Sequence, residues 1–336
     1  MTPPKGHRLP LLDGLRGVAA IMVMLHHEGP LHGTVWPLPR AYLAVDFFFM
    51  LSGLVLTPAF EPRLRKDLSP TRFLIQRFAR LWPVLAVGVL IGGAAALLRG
   101  GEHLWPLILL ASLLLLPWPR SVGGLYRLDG PQWSIGYELL ANALHAGLLV
   151  RLSDRAVLGF ALITAAIMAW QIAHFGEAAM GDTTANWWGG FARVAWAYAL
   201  GVWLGRRLKA TPAIGRWWLL AALPLPLTLG LLPFLPLARD WGDGLAVFVL
   251  LPMALWLGAR VALPAMAARC CGWLGALSYP LYAIHGPLLV IGAHLTRQLP
   301  EAAQPLARIA VLLAILLLAQ ALALSPLARG LRLKRS

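Results

Sequence analysis

The sequence predicts an all-α fold: a polytopic membrane bundle of ten transmembrane helices plus one re-entrant or interfacial segment, with both termini cytoplasmic. Three observations predict it. Of 336 residues, 59% are hydrophobic and only 13% charged, and the mean hydropathy of +0.70 lies far outside the range of water-soluble chains. The apolar residues gather in runs long enough to cross a ~30 Å hydrocarbon core, which takes about 17–25 residues. The 29 lysines and arginines fall in short clusters between those runs, as they do in cytoplasmic loops.

The runs lie near residues 9–28, 41–60, 81–98, 133–150, 156–175, 187–205, 217–238, 244–261, 272–294 and 308–328. The first carries Asp13 and Arg16 and no small-residue cleavage site, so it reads as a span rather than a removable signal. An eleventh run, 104–118, is short and bounded by Pro106 and Pro117. Left out as a crossing, it puts 20 basic residues inside, among them Arg63, Arg65, Lys66, Arg72, Arg77 and Arg80, and eight outside, with Arg16 within the first span. Counted as a crossing, it inverts every later loop against that asymmetry. Pro224, Pro226, Pro233 and Pro236 make the seventh span kinked or broken. Several of the 15 tryptophans stand at run ends, as in interfacial belts. No long hydrophilic insertion appears, so one membrane domain is expected over 1–336, with no appended soluble domain and a short basic tail over 329–336. Cys270 and Cys271 are neighbours and supply neither a disulfide framework nor a metal site with separated ligands; no metal is expected. The net charge of +15 is assigned to membrane orientation, with the lipid bilayer and not nucleic acid as the partner.

An ionisable side chain near the bilayer centre costs about 2.5–3.5 kcal/mol, which makes each one a functional candidate. His27, Asp46, Glu138, Arg193 and His285 fall in one outer-half layer when depth is counted at ~1.5 Å per residue. A carboxylate and an imidazole at matching depth can form a general-base dyad, here His27 with Asp46. Each also has a structural reading. Asp46 suits a helix start, Arg193 can snorkel to head groups, and His285 can bridge helices by a hydrogen bond. His26 points about 100° away from His27. Arg16 precedes His27 by eleven residues on the same helix face, about 16 Å along the axis, a distance like the reach of a pantetheine arm; Asp13 is placed to pair with it. Arg77 and Arg80, one turn apart, can grip a diphosphate or anchor anionic lipid. Trp187 and Trp188, beside Asn186, offer flat faces for a sugar ring or anchor the interface. Gly14, Gly17 and Gly53 suit close helix packing.

Longer strings sharpen this. LDGLRGVAAIMVMLHH (Leu12 to His27) and YLAVDFFFMLSGLVL (Tyr42 to Leu56) are followed by RFARLWP (Arg77 to Pro83), WSIGYE (Trp133 to Glu138) and LSYPLYAIHGPLL (Leu277 to Leu289). In that order they resemble the acyltransferase type 3 family of integral-membrane acyltransferases. The resemblance implies a ten-helix domain moving an acyl group, usually acetyl from acetyl-CoA, to a hydroxyl of a glycan or other acceptor at the bacterial inner (plasma) membrane. It implies His27 and Asp46 as catalytic residues and Arg16, Arg77 and Arg80 as donor ligands. Glu138, Arg193, His285, Trp133 and Trp187 are then expected on the acceptor side. The continuation after Glu138, Leu139 to Asn142, departs from the family's commoner pattern and leaves acceptor choice open; a homodimer is also open. The alternative is a polytopic transporter or exporter of a glycolipid or small metabolite, or a regulatory membrane protein without turnover.

Overall fold

A computed structural model describes residues 9–33, 38–100, 104–118, 124–208 and 217–329. Lys5, Arg8, Arg120, Lys209, Arg216, Arg332, Lys334 and Arg335, which entered the charge asymmetry, lie outside the described residues, as does the basic tail beyond Arg329. Among the described residues the chain is helical, with no strand and a single isolated bridge between Gly124 and Thr183.

A helix occupies each of the ten predicted runs. In chain order they are α1 (Pro10–Leu31), α2 (Ala44–Leu64), α3 (Pro70–Leu98), α4 (Trp105–Leu113), α5 (Gln132–Gly147), α6 (Asp154–Phe175) and α7 (Gly189–Arg207). Next come α8 (Trp218–Ala222), α9 (Pro224–Leu231), α10 (Arg239–Leu245), α11 (Leu251–Ala259), α12 (Ala265–Thr296) and α13 (Gln304–Leu324). Among the described residues six segments, Ala41–Leu64, Pro70–Leu98, Asp154–Phe175, Arg239–Ala259, Ala265–Thr296 and Glu301–Leu324, are long and apolar enough to cross a membrane. α1 and α7 are of similar length but carry ionisable residues, and α5 has 16 residues. The proline-rich seventh run is broken as expected, into α8, α9 and a 3₁₀ turn. The eighth is irregular for a related reason: α10 joins α11 through a π-helical turn, Ala246–Leu250, just before Pro252, where the missing N–H interrupts the hydrogen-bond ladder.

Local signals set the helix starts. α3 begins eleven residues before its apolar run because Ser69 caps it, accepting from the Arg72 N–H, and Pro70 takes the first position, where no donor is needed. Ser153 caps α6 in the same way, and Gly176 at φ +77° ends it. The expected non-crossing segment is α4, nine residues long, or about 14 Å at 1.5 Å per residue.

Helix directions follow from the contacts. α1 packs on α12, α12 on α3 and α13, α2 on α7, and α6 on α7. A methyl group on Gly14 would meet Cys271 and one on Gly17 would meet Leu274, so α1 and α12 run parallel. α2 and α7 are likewise parallel, with Gly201 against the Met50 backbone and Gly205 against that of Leu54. α5 is antiparallel to α3: Asp129 leads into it beside Gly88, and Glu138 further along reaches back to Arg77. A full crossing at 104–118 would have made these two parallel.

The α3–α12 contact has a specific chemical origin. Pro287 has no N–H, so the Ala283 carbonyl lacks its intrahelical donor, and Gly88 lets the α3 backbone close directly over that oxygen. Gly88→Ala would drive a methyl into the carbonyl and should destabilise the bundle by about 1–3 kcal/mol or more. Gly159→Ala, on α6 with nothing within 4 Å, should be neutral or stabilising by up to about 1 kcal/mol. Thermal unfolding of both variants in detergent checks the contrast; equal melting temperatures would mean that α3 and α12 are not so tightly apposed.

Candidate active site

Helices α1 and α12, held together at their starts, bring His27 and His285 together further along. Their rings lie 5.1 Å apart between centroids, with His285 Nε2 3.3 Å from His27 Nδ1. The hydrogen-bond partners assign the protons. His285 Nδ1 is 2.9 Å from the Tyr282 carbonyl oxygen and 3.1 Å from that of Leu281. Both only accept, so Nδ1 carries the hydrogen and Nε2 keeps a lone pair. His27 Nδ1 lies between that lone pair and the Val23 carbonyl oxygen at 2.9 Å, so it too carries a hydrogen. His27 Nε2 is thereby left with its lone pair, the form a general base requires. His285 is fully buried, whereas His27 keeps some exposure. His26 turns the other way, with Nδ1 at the Leu38 carbonyl oxygen.

Asp46 does not meet His27. Both of its oxygens receive Arg193, Nε to Oδ1 at 2.9 Å and Nη2 to Oδ2 at 2.7 Å. Arg193 also donates to the Met180 and Tyr42 carbonyls and stands 5.5 Å from the centroid of the Trp133 ring. The expected His27–Asp46 pairing is thus replaced by His27–His285 and Asp46–Arg193. The reason is azimuth: Asp46 lies two turns before Gly53 on the α2 face that packs against α7, so depth was matched but direction was not. Arg193, fully buried, is held here and does not snorkel.

Glu138 also departs from expectation. Its Oε1 accepts from Arg77 Nη2 and from Ser52 Oγ, both at 3.0 Å, which puts it at the level of Arg77 and not in the layer of the paired histidines. The segment ahead of α5 explains this. Asp129 is wedged where methyl groups on Gly88 and Gly286 would lie 3.4 and 3.1 Å from its oxygens, beside His285. α5 therefore starts deep in the bundle, and Glu138, six residues into it, lies about 9 Å further along.

The three arginines singled out as donor ligands do gather. Arg80 is repelled electrostatically by Arg77 and Arg16. Arg16 donates to Ser278 Oγ and to the Gly275 carbonyl, each at 2.9 Å, and pairs with Asp13 at 3.4 Å. Arg77 Nε is buried with no partner among the described residues, an N–H that an incoming acceptor oxygen would satisfy.

Trp187 is half exposed, rests on Phe191, and accepts a hydrogen bond at its carbonyl from Tyr137. Trp188 joins Trp170, His174 and Phe175 in an aromatic group, and the Asn186 amide ties its own loop together through Gly181, Thr183 and Ala179. Several residues here escaped the sequence reading. Asp243 accepts from Tyr42 Oη at 2.5 Å, Arg40 at 3.2 Å and the Ala178 N–H at 2.8 Å. Asp182 acts electrostatically on both His27 and Arg193. Near the end of α2, Glu61 receives Arg206 and His145. Their polarity within or beside apolar runs was the available signal; their partners lie too far away in sequence to be guessed. Among the described residues, no group of three or more metal-ligating side chains gathers.

A family described as "Acyltransferase domain" matches residues 9–324. Protein 2 in the picA locus of Rhizobium radiobacter is 33% identical over 194 residues, 52% of this chain and 98% of that protein. Acyltransferase MdmB of Streptomyces mycarofaciens is 33% identical over 157 residues, 40% of this chain and 38% of that protein. A Staphylococcus aureus (strain COL) protein provisionally named an O-acetyltransferase is 31% identical over 102 residues, 29% of this chain and 15% of that protein. The match thus spans less than half of the latter two. No solved structure is significantly similar.

Asp129 supplies a test of this geometry. Both of its oxygens are buried without a partner among the described residues, and burial pushes its carboxyl well above the usual carboxylate range. The folded protein then holds a proton that the unfolded chain releases by neutral pH, so this group's contribution is full below the ordinary aspartate range and is lost as pH rises. Asp129→Asn cannot ionise. Its melting temperature relative to wild type should therefore rise from about pH 4.5 to about pH 8; a constant difference would mean that the carboxyl is not isolated.

Proposed function

The chain belongs to the acyltransferase-domain family, enzymes that transfer acyl groups other than aminoacyl groups, and on that premise we propose that it moves an acetyl group from cytosolic acetyl-CoA to a hydroxyl of a cell-envelope glycan or similar acceptor. On this reading it crosses the bacterial inner membrane ten times, with both termini cytoplasmic; the antiparallel course of α5 against α3 supports that count. The observation that carries the proposal is the lone pair left on His27 Nε2 by its bond to His285, about 16 Å along α1 from an arginine cluster.

The donor's phosphates lie against Arg77, Arg80 and Arg16, with its thioester extended toward His27. His27 Nε2 takes the proton of the acceptor hydroxyl as that oxygen attacks the thioester carbonyl. The C–S bond breaks, and the imidazolium returns the proton to the departing thiolate. Throughout, His285 Nε2 accepts the Nδ1 hydrogen of His27 and fixes the ring, the orienting task first assigned to Asp46. Glu138 orients Arg77 on the donor side. Asp46 is a positioning residue: through Arg193 it fixes the turn that carries Met180 and the ring of Trp133. Trp133 and Trp187 line the approach of the acceptor, where a sugar ring can stack.

Transfer of labelled acetyl from acetyl-CoA to membrane-associated material should fall by about 10²–10⁴-fold in His27→Ala. His285→Ala should lower turnover by less, with acetyl-CoA affinity unchanged. Wild-type labelling in His27→Ala would end the base assignment, and label retained on the protein in the absence of acceptor would show that His27 itself carries the acyl group.

Arg77→Ala should weaken acetyl-CoA binding in detergent by about tenfold or more, as expected for loss of a charge-assisted phosphate contact. Unchanged affinity would make Arg77 a partner of Glu138 and nothing more.

A further inference from the structure

Beside the contact of α1 with α12 near their starts lies an open cavity of about 610 Å³, within the ~300–1,000 Å³ usual for small-molecule sites. Arg269, Gly272 and Ala276 line it from one face of α12, with Gly275 beside them; Asp13 and Arg16 line it from α1. The space exists because small residues hold that face of α12. A methyl on Gly272 would meet nothing within 4 Å.

The charges facing the cavity do not cancel. Arg16 is 3.4 Å from Asp13, whereas Arg269 meets no carboxylate among the described residues, and its recorded side-chain contact is the Met266 sulfur at 3.9 Å. Arg16 also lies within electrostatic reach of Arg80 on α3, so it links the cavity to the arginine cluster described above. A spare guanidinium in such a place selects an anion with several acceptor oxygens, a phosphoryl group above all.

Distance indicates which phosphoryl group. Arg269 precedes His285 by 16 residues, about 24 Å along α12, while Ser278, the partner of Arg16, precedes it by about 10 Å. Coenzyme A carries a diphosphate next to its pantetheine arm and a 3′-phosphate on the ribose beyond. We propose that the cavity between α1 and α12 seats the 3′-phosphoadenosine end of the donor, with Arg269 gripping the 3′-phosphate and Gly272 leaving the room. This deepens the acyl-CoA reading above and rests on it.

Binding of coenzyme A and of 3′-dephospho-coenzyme A to the full chain in detergent tests it. The wild-type protein should prefer coenzyme A by about tenfold or more. Arg269→Ala should abolish that preference by weakening coenzyme A alone, and Gly272→Leu, whose added Cβ meets nothing within 4 Å while its side chain occupies the cavity, should weaken both. An Arg269→Ala protein that keeps the preference overturns the proposal while leaving the donor reading intact. A wild-type protein that binds neither compound overturns the donor reading itself. The same titrations in nanodiscs with and without phosphatidylglycerol separate a lipid headgroup from the nucleotide. An Arg269 effect confined to retention of that lipid, with nucleotide preference untouched, also overturns the proposal.

Discussion

Helices α1 and α12 touch through glycine at their starts, and that contact sets everything chemical in the molecule. Gly14 and Gly17 of α1 face Cys271 and Leu274, and Gly275 of α12 faces Asp13. Arg16 then reaches across to Ser278 and to the Gly275 carbonyl. Because the helices run parallel, this seam fixes their register, and ten residues further on His27 meets His285. A slip of one turn, about 5.4 Å, would separate the imidazoles and break both bonds of Arg16. Close packing of small residues is the available force here, since apolar side chains gain little by leaving lipid for one another.

Around that seam, buried ion pairs join helices far apart in sequence. Asp46 ties α2 to α7 through Arg193, Glu61 ties α2 to α5 and α7 through His145 and Arg206, and Glu28 ties α1 to α13 through Arg308. Removing one member of such a pair costs about 3–5 kcal/mol because the other charge is stranded, so these pairs specify which helix lies beside which. The groups without such partners are arranged differently. Arg77 Nε, the Asp129 carboxyl and Gln132 Oε1 are buried and unpartnered among the described residues, and all three belong to α3, to α5 or to the segment leading into α5. Where the protein satisfies its own polar atoms the helices are fixed; an unsatisfied buried donor such as Arg77 Nε is one that a ligand's acceptor oxygen would satisfy.

The sequence conveyed depth better than direction. Apolar run lengths located the ten helical stretches, the prolines marked the broken seventh, and the spacing of Arg16 and His27 put them on one face, which in the structure is the face turned to α12. Direction around a helix axis depends on which neighbour packs there, and no count along the chain gives that. Asp46 and His27 therefore looked like partners at one depth while facing different helices. Glu138 was misplaced for another reason. Its depth was counted from the start of an apolar run taken to begin at the membrane surface, whereas the chain before α5 dips to the level of His285. Asp129, Asp182 and Arg269 were overlooked because all three lie at or beyond the edges of apolar runs, where a charge is inexpensive and carries no signal until the packing is known.

The proposed chemistry has a mechanical consequence. If Arg269 marks one end of the donor and His27 the other, the donor extends along about 24 Å of α12, most of a ~30 Å hydrocarbon core. The acyl group then reaches the outer layer by the length of its own carrier arm. A transporter must open alternately to each side and needs bundles able to rock against one another. An enzyme working in this way needs the opposite, a channel of constant register between a cytosolic cavity and a base fixed about 16 Å or more above it. The glycine seams of α1 with α12 and α2 with α7, and the Gly88 contact of α3 with α12, resist sliding because a bulky neighbour cannot ride over a bare backbone without losing its packing. The rigidity of those three contacts is thus part of the catalytic argument, because a base held by a hydrogen bond at 3.3 Å works only while the helices carrying it stay in step.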